Sequence, residues 1–291
     1  MPVNKISNFI KNFSIRTRDS FFEIRTRNKT SSISSDYVFV FGVCGRTGTT
    51  ALQRILNSSG EVCIWGEQHH IVDDITSLLE RIETLSKAEN YQTQMARFHE
   101  SFDQDSHSNY YPNAIGYLEE LETSITNALK RHLSPINQIQ RGGFKDVKLF
   151  SPLTLEYLEK IYPDASFLFC FRDPMLQWPS VKKSNWWKYS SSVEKFLGHY
   201  TTLAEMYMKF GKGKTNCFFI EQTRLLKKEN IDKIVRAVKV RKYDANLLDD
   251  KAGSIQSDEL ELSDREKIST SAAINYYSEL KEISDSFFTD S

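Results

Sequence analysis

Residues 37–50 constrain the fold of this chain more than any other stretch. Residues 37–43 (YVFVFGV) form an almost wholly apolar run, short and without the alternation of a half-solvated strand, so they read as a strand buried on both faces. The run leads into Cys44 and then Gly45-Arg46-Thr47-Gly48-Thr49-Thr50, after which Leu52, Ile55 and Leu56 recur at helical spacing. Strand, glycine- and threonine-rich loop and helix in this order bring backbone N–H groups to a helix N-terminus. The helix dipole and the threonine hydroxyls add to them, and the result is a cradle for an anion. The same residues also suit an ordinary strand-to-helix turn with a threonine cap.

Alternation continues along the chain. Residues 61–65 (EVCIW) make a second short strand ending at Gly66-Glu67, and Ile71, Ile75, Leu78, Leu79, Ile82 and Leu85 mark an amphipathic helix. Residues 88–140 are more polar, carry a helical stripe at Leu118, Leu121, Ile125 and Leu129, and read as a helical insertion. Strands follow at 143–149, 166–171 (SFLFCF) and 217–220. Between and after them come helices through Leu155, Leu158 and Ile161, through Phe196, Tyr200, Leu203 and Tyr207, and near 231–238. Ser263-Asp264-Arg265-Glu266 has the form of a capping box that opens a last helix. The pattern predicts an α/β chain: a P-loop-like, three-layer fold with a central parallel sheet flanked by helices on both faces. A single domain spans 36–291, preceded by a basic N-terminal arm over 1–35, where seven Lys and Arg face two Asp and Glu.

Charge and cysteine usage narrow the function. Thirty-eight Lys and Arg balance 38 Asp and Glu, so no overall field suits a nucleic-acid partner and any anion site is local. The four cysteines, Cys44, Cys63, Cys170 and Cys217, show no CxxC pair and no metal-ligand spacing. They read as buried thiols, in keeping with a reducing, cytoplasmic setting. The arm lacks the continuous apolar run of a signal peptide or membrane span. It reads as a basic surface arm, a frayed terminus or a presequence.

The loop lacks the lysine of GxxxxGK[ST]: Thr49 follows Gly48, Val43 holds the first-glycine position, and Arg46 supplies the loop's cation. A nucleoside triphosphatase needs that lysine on the outer phosphates, whereas a single phosphate-sulfate group needs a smaller cradle and no magnesium bridge. A second constellation is Arg172-Asp173-Pro174, at the end of strand 166–171, with Ser180 eight residues after the arginine. The planar fork of an arginine at a strand end grips a phosphate, and a serine one turn into the next segment adds a hydroxyl. The plain alternative is a local pair between Arg172 and a carboxylate.

Together, Gly45 to Thr50 and Arg172-Asp173-Pro174 with Ser180 resemble the 5′-phosphosulfate loop and the 3′-phosphate motif of the sulfotransferases that use 3′-phosphoadenosine 5′-phosphosulfate (PAPS). Trp65-Gly66-Glu67 resembles the glutamate-bearing segment of the Golgi-type and bacterial members. Gly143-Phe144-Lys145-Asp146-Val147 is similar to their lysine segment. Residues 217–225 (CFFIEQTRL) resemble a strand that usually reads RYEDL, departing from it at Ile220 and Gln222.

The resemblance implies in-line transfer of a sulfuryl group from PAPS to a hydroxyl or amine of a small-molecule or glycan acceptor. Adenosine 3′,5′-bisphosphate is the product, and no metal and no integral membrane segment are expected. It implies that Arg46, Thr47, Gly48, Thr49 and Thr50 hold the 5′ group, that Arg172 and Ser180 hold the 3′ phosphate, and that Lys145 stands near the bridging oxygen, with Lys148 as the competing assignment. Glu67 is the implied base, with His69 and His70 behind it and otherwise read as surface residues at a helix start. Asn185-Trp186-Trp187-Lys188-Tyr189 reads either as an acceptor-pocket lining or as a core stripe. A P-loop small-molecule kinase and a non-catalytic nucleotide-bisphosphate-binding protein are the alternatives.

Overall fold

The structure is a computed structural model and describes residues 36–68, 70–87, 114–136, 139, 141–149, 151–185, 188–248 and 260–289. Five strands, β1 (Val38–Gly42), β2 (Val62–Trp65), β3 (Arg141–Asp146), β4 (Ser166–Phe171) and β5 (Cys217–Glu221), form one sheet in the order β2-β3-β1-β4-β5. Every pair is parallel, with Val40 opposite Lys145 on one side of β1 and Gly42 opposite Cys170 on the other. All residues of β1 and β4 are buried, as expected of inner strands covered on both faces. The chain is therefore α/β, as its alternating pattern predicts.

Alternation of side chains along the strands separates two cores. Phe39, Phe41, Phe144, Phe167, Phe169 and Phe171 point to one face. There they meet α4 (Pro152–Ile161) and α6 (Val193–Gly211), with α9 (Ala272–Thr289) against β5 and α8 (Leu262–Ser269) beside α6. Rings stack across this layer, Phe169 on Tyr207 at 4.7 Å and Phe39 edge-on to Phe144 at 5.3 Å. Val38, Val40, Leu168, Cys170 and Ile220 face the other side, covered by α1 (Thr49–Asn57) and α7 (Lys228–Ala237). Among the described residues, three further helices, α2 (Ile71–Lys87), α3 (Ala114–His132) and α5 (Pro174–Ser184), lie in the connections. All four cysteines are buried and unpaired.

Two expectations need correction. The strand expected at 143–149 runs instead over Arg141–Asp146. Gly143 lies so close to β1 that an added Cβ would stand 1.8 Å from the Val38 carbonyl oxygen, so only glycine lets β3 pair there. The strand stops because the Asp146 carboxylate accepts the Lys148 N–H at 2.8 Å and turns the chain. Val147 and Leu149 are buried in that turn, which is why the apolar pattern imitates a longer strand. Nor does Ser263 cap α8: the helix begins at Leu262 with Glu261 as N-cap and no side-chain cap bond. The Asp264 carboxylate is turned inward, where it accepts the Trp178 indole N–H at 2.7 Å.

The expected arm over 1–35, His69, Trp186, Trp187 and, within the expected insertion, residues 88–113, 137–138 and 140 lie outside the described residues. The stripe at Leu118 to Leu129 belongs to α3. Among the described residues no helix is long and apolar enough to cross a membrane.

Candidate functional site

Because the sheet is parallel, Gly42, Trp65, Asp146, Phe171 and Glu221 end their strands on one edge. Ligand crevices in such sheets lie outside the strand ends, where the connections diverge to opposite sides of a central strand. Here that point is β1, between β3 and β4.

The loop leaving β1 takes left-handed backbone at every second residue: Cys44 (φ 64°), Arg46 (φ 72°) and Gly48 (φ 86°). Alternating handedness turns successive N–H groups toward one concavity, a nest suited to an anion. At Gly48 a Cβ would also meet the Leu225 side chain at 2.8 Å. Helix α1 begins with no side-chain cap bond and no acidic residue in its first turn, and the Leu52 N–H donates to the Gly48 carbonyl at 3.0 Å. The N–H groups of Thr49, Thr50 and Ala51 precede it and have no carbonyl one turn back. Thr50 is exposed, Thr49 is buried, and Thr47 is fully buried with its hydroxyl turned back to the Cys44 carbonyl at 3.4 Å.

Two side chains far away in sequence hold this loop. The buried Gln177 amide Nε2 donates to the Val43 and Gly45 carbonyls at 2.9 and 2.6 Å, and the Gly45 N–H donates to the Tyr189 hydroxyl at 2.9 Å. Tyr189 stacks on His199 at 4.5 Å. Burial lowers the His199 pKa to about 4, so the ring is neutral at neutral pH. The spacing of Gln177 and Tyr189 carries no motif, and sequence reasoning assigned neither to the loop. The signal lay in Gln177 alone, a polar residue between Leu176 and Trp178.

The second constellation explains its own residue types. Pro174 occupies the first turn of α5, and Asp173 caps the helix by accepting the Met175 N–H at 2.8 Å. Asp173 is thereby a cap and forms no ion pair with Arg172. The Tyr200 hydroxyl donates to the Arg172 carbonyl at 3.1 Å. Arg172 Nε is buried with no hydrogen-bond partner among the described residues. Burial lowers the Arg172 pKa, and the nearby Arg46 charge lowers it further against the opposing pull of Asp173. One helical segment on, the buried Ser180 hydroxyl accepts from Arg46 Nε at 2.9 Å. Two sequence motifs 134 positions apart thus meet in one hydrogen bond.

On the β2–β3 side, Glu67 lies two residues beyond β2 and takes both lysines at once. Lys145 Nζ reaches Oε1 at 2.8 Å and Lys148 Nζ reaches Oε2 at 3.4 Å. Burial pushes the Glu67 carboxyl up, but the hydrogen bond and charge of Lys145, helped by Lys148, outweigh it and hold the group below its ordinary value. Glu67 is therefore an anion at neutral pH. The turn after Asp146 brings Lys148 back to the same carboxylate, so both lysines that the sequence offered stand on Glu67. His70, 42% exposed at the side chain, pairs with Asp73 at 3.5 Å at the start of α2 and joins neither constellation. Among the described residues no group of three or more His, Cys, Asp and Glu side chains is placed to hold a metal ion.

A model of the sulfotransferase family matches residues 37–227, from the residue before β1 through the segment after β5. No curated protein matches the chain in sequence. Solved structures similar to it include a sulfotransferase from Alicyclobacillus acidocaldarius (14% identity, 85% of this chain and 95% of that chain, TM-score 0.49). Another is a sulfotransferase domain from the curacin biosynthetic pathway (14% identity, 85% and 90%, TM-score 0.46). A third is a sulfotransferase domain from the Synechococcus PCC 7002 olefin synthase (14%, 88% and 95%, TM-score 0.46). With the family model matched over more than half its length, this chain belongs to the sulfotransferase family.

Proposed function

We propose that the protein transfers the sulfuryl group of PAPS to a hydroxyl or amine of a small-molecule or glycan acceptor and releases adenosine 3′,5′-bisphosphate. The observation that carries this reading is the bond from Arg46 Nε to Ser180 Oγ, 2.9 Å, beside a second arginine whose buried Nε has no hydrogen-bond partner among the described residues. Two neighbouring cations at the N-terminus of a helix, neither in an ion pair among the described residues, suit a ligand with two anionic ends. PAPS fits: it supplies a 5′ phosphosulfate, whose sulfur is the group transferred, and a 3′ phosphate.

Arg46 and the N–H groups from Gly48 to Thr50 hold the 5′ end, with Thr47 contributing main chain because its hydroxyl is turned inward. Arg172 and Ser180 hold the 3′ phosphate. Charge grows on the leaving oxygen during transfer, and Lys145 offsets it. Glu67, kept ionised by its lysines, takes the acceptor proton at a carboxylate oxygen. Lys145 and Lys148 share that carboxylate, so one ammonium can serve the leaving group while the other stays with the base. A loop without the P-loop lysine gives the kinase alternative no group for an outer phosphate.

The test is release of the bisphosphate from PAPS across a panel of phenol, sugar and amine acceptors. Arg46→Ala and Lys145→Ala are expected to lower turnover by about two orders of magnitude, since one anion contact at the reacting centre is worth about 3 kcal/mol. Their melting curves should stay cooperative. Near-wild-type turnover in both variants would remove the mechanism.

A further inference from the structure

Asp146 is only 5% exposed, yet it forms no ion pair within 4 Å among the described residues. Its oxygens accept main-chain N–H groups instead: Oδ1 that of Lys148 at 2.8 Å and Oδ2 that of Gln68 at 3.3 Å. Burial pushes its carboxyl pKa up, the N–H groups of Lys148, Gln68 and, more weakly, Val147 pull it back, and the negative Glu67 nearby raises it again. A buried carboxylate without a cation is costly, and packing alone gives no reason for one at this place.

The position of its two bonds supplies the reason. Gln68 directly follows Glu67, and Lys148 is one of the two lysines on the Glu67 carboxylate. Both lie beyond the strand ends, at Trp65 and Asp146, where the ladder that pairs β2 with β3 has stopped. One side chain therefore ties together two segments that the sheet leaves unheld, with Lys145 anchored beside it on β3. We infer that Asp146 is a positioning residue of the sulfuryl-transfer site, which by accepting the Gln68 and Lys148 N–H groups keeps Glu67 within reach of both lysines. This rests on the reading of Glu67 and Lys145 given above. Two acceptor oxygens are needed, and asparagine supplies one and sets an NH₂ donor against the other N–H.

The experiment is a double-mutant cycle of Asp146→Asn and Glu67→Gln in the full chain, read as kcat, donor KM, bisphosphate affinity and melting temperature. Misplacing a catalytic group by a fraction of an ångström to an ångström costs about 10- to 100-fold. Asp146→Asn should lose that much in kcat while its bisphosphate affinity stays within about twofold of wild type. In the Glu67→Gln background it should lose nothing further, because it acts through Glu67; a residue that only supports the fold would give additive losses. Additive losses, or an unchanged kcat in Asp146→Asn, overturn the inference.

Should Asp146→Asn fail to fold, amide exchange of the wild-type protein decides. Slow exchange at Gln68 and Lys148 is expected, and exchange at the rate of an open chain overturns the inference. If the wild type binds no bisphosphate, or Glu67→Gln keeps full kcat, the functional reading is what fails, and the exchange measurement still decides whether Asp146 holds the two segments.

Discussion

Replacing Gln177 by leucine should loosen the anion loop and the whole fold together. The Nε2 group of Gln177 donates to the Val43 and Gly45 carbonyls, which flank the left-handed Cys44. Each carbonyl left buried without a donor costs about 1–3 kcal/mol. Leucine also removes Oε1, which is buried with no hydrogen-bond partner among the described residues, and this returns a similar amount for one atom. The net loss is about 1–3 kcal/mol, or about 3–10 °C in Tm for a domain of this size. A second effect follows from the backbone. Left-handed Cys44 and Arg46 cost about 1–2 kcal/mol each, and with the clamp gone the loop relaxes toward ordinary φ, so the nest opens. Differential scanning fluorimetry with calorimetric titration of adenosine 3′,5′-bisphosphate reads both. A Tm within about 1 °C and unaltered affinity in Gln177→Leu would refute the argument that this amide holds the loop.

Glu67→Gln should lower kcat by at least about tenfold while leaving bisphosphate affinity near wild type, as stopped assays and titration would show. The same variant has a pH signature. A carboxyl held below its ordinary value stabilises the fold above about 4.5 and loses that contribution as pH falls through the folded value. The stability gap between wild type and Glu67→Gln should thus be widest above pH 5 and close in acid; Asp146, shifted upward and so opposite in sign, narrows that gap in part, because the Glu67 charge that helps raise it is absent from the variant. The depressed His199 gives another slope: stability present above pH 6.5 is lost as pH falls toward about 4. About 2 kcal/mol should disappear between pH 7 and 5 in urea titrations, and His199→Phe, which keeps a ring against Tyr189, should show much less of this loss.

The parts legible in advance are those where local chemistry and the fold agree. Residues 37–43 read as a buried strand because β1 is inner and covered on both faces, and 166–171 matches β4 to the residue. The turn from β1 into α1 was visible because glycine at Gly48 and the following helix start are local requirements. Arg172 and Ser180 stood out through their eight-residue spacing, and α5 brings Ser180 to Arg46.

What was hidden depends on contacts across the sequence. Val147 and Leu149 looked like strand because they are buried, but an aspartate hydrogen bond had already turned the chain. Thr47 looked like a ligand hydroxyl, yet its rotamer faces inward. Gln177, Tyr189 and Asp146 bond to main-chain atoms far along the chain, and no spacing rule marks a residue whose partner is a distant carbonyl or N–H. Asp264 looked like part of a capping box because its tryptophan partner is 86 positions away.

The most direct test of the central claim is calorimetric titration of the purified protein with adenosine 3′,5′-bisphosphate, set beside ATP with magnesium. Saturable one-to-one binding of the bisphosphate without metal, at least about tenfold tighter than ATP (about 1.4 kcal/mol) and strongly weakened in Arg172→Ala, is the predicted result. Tighter binding of ATP with magnesium, or bisphosphate binding indifferent to Arg172, would contradict the account.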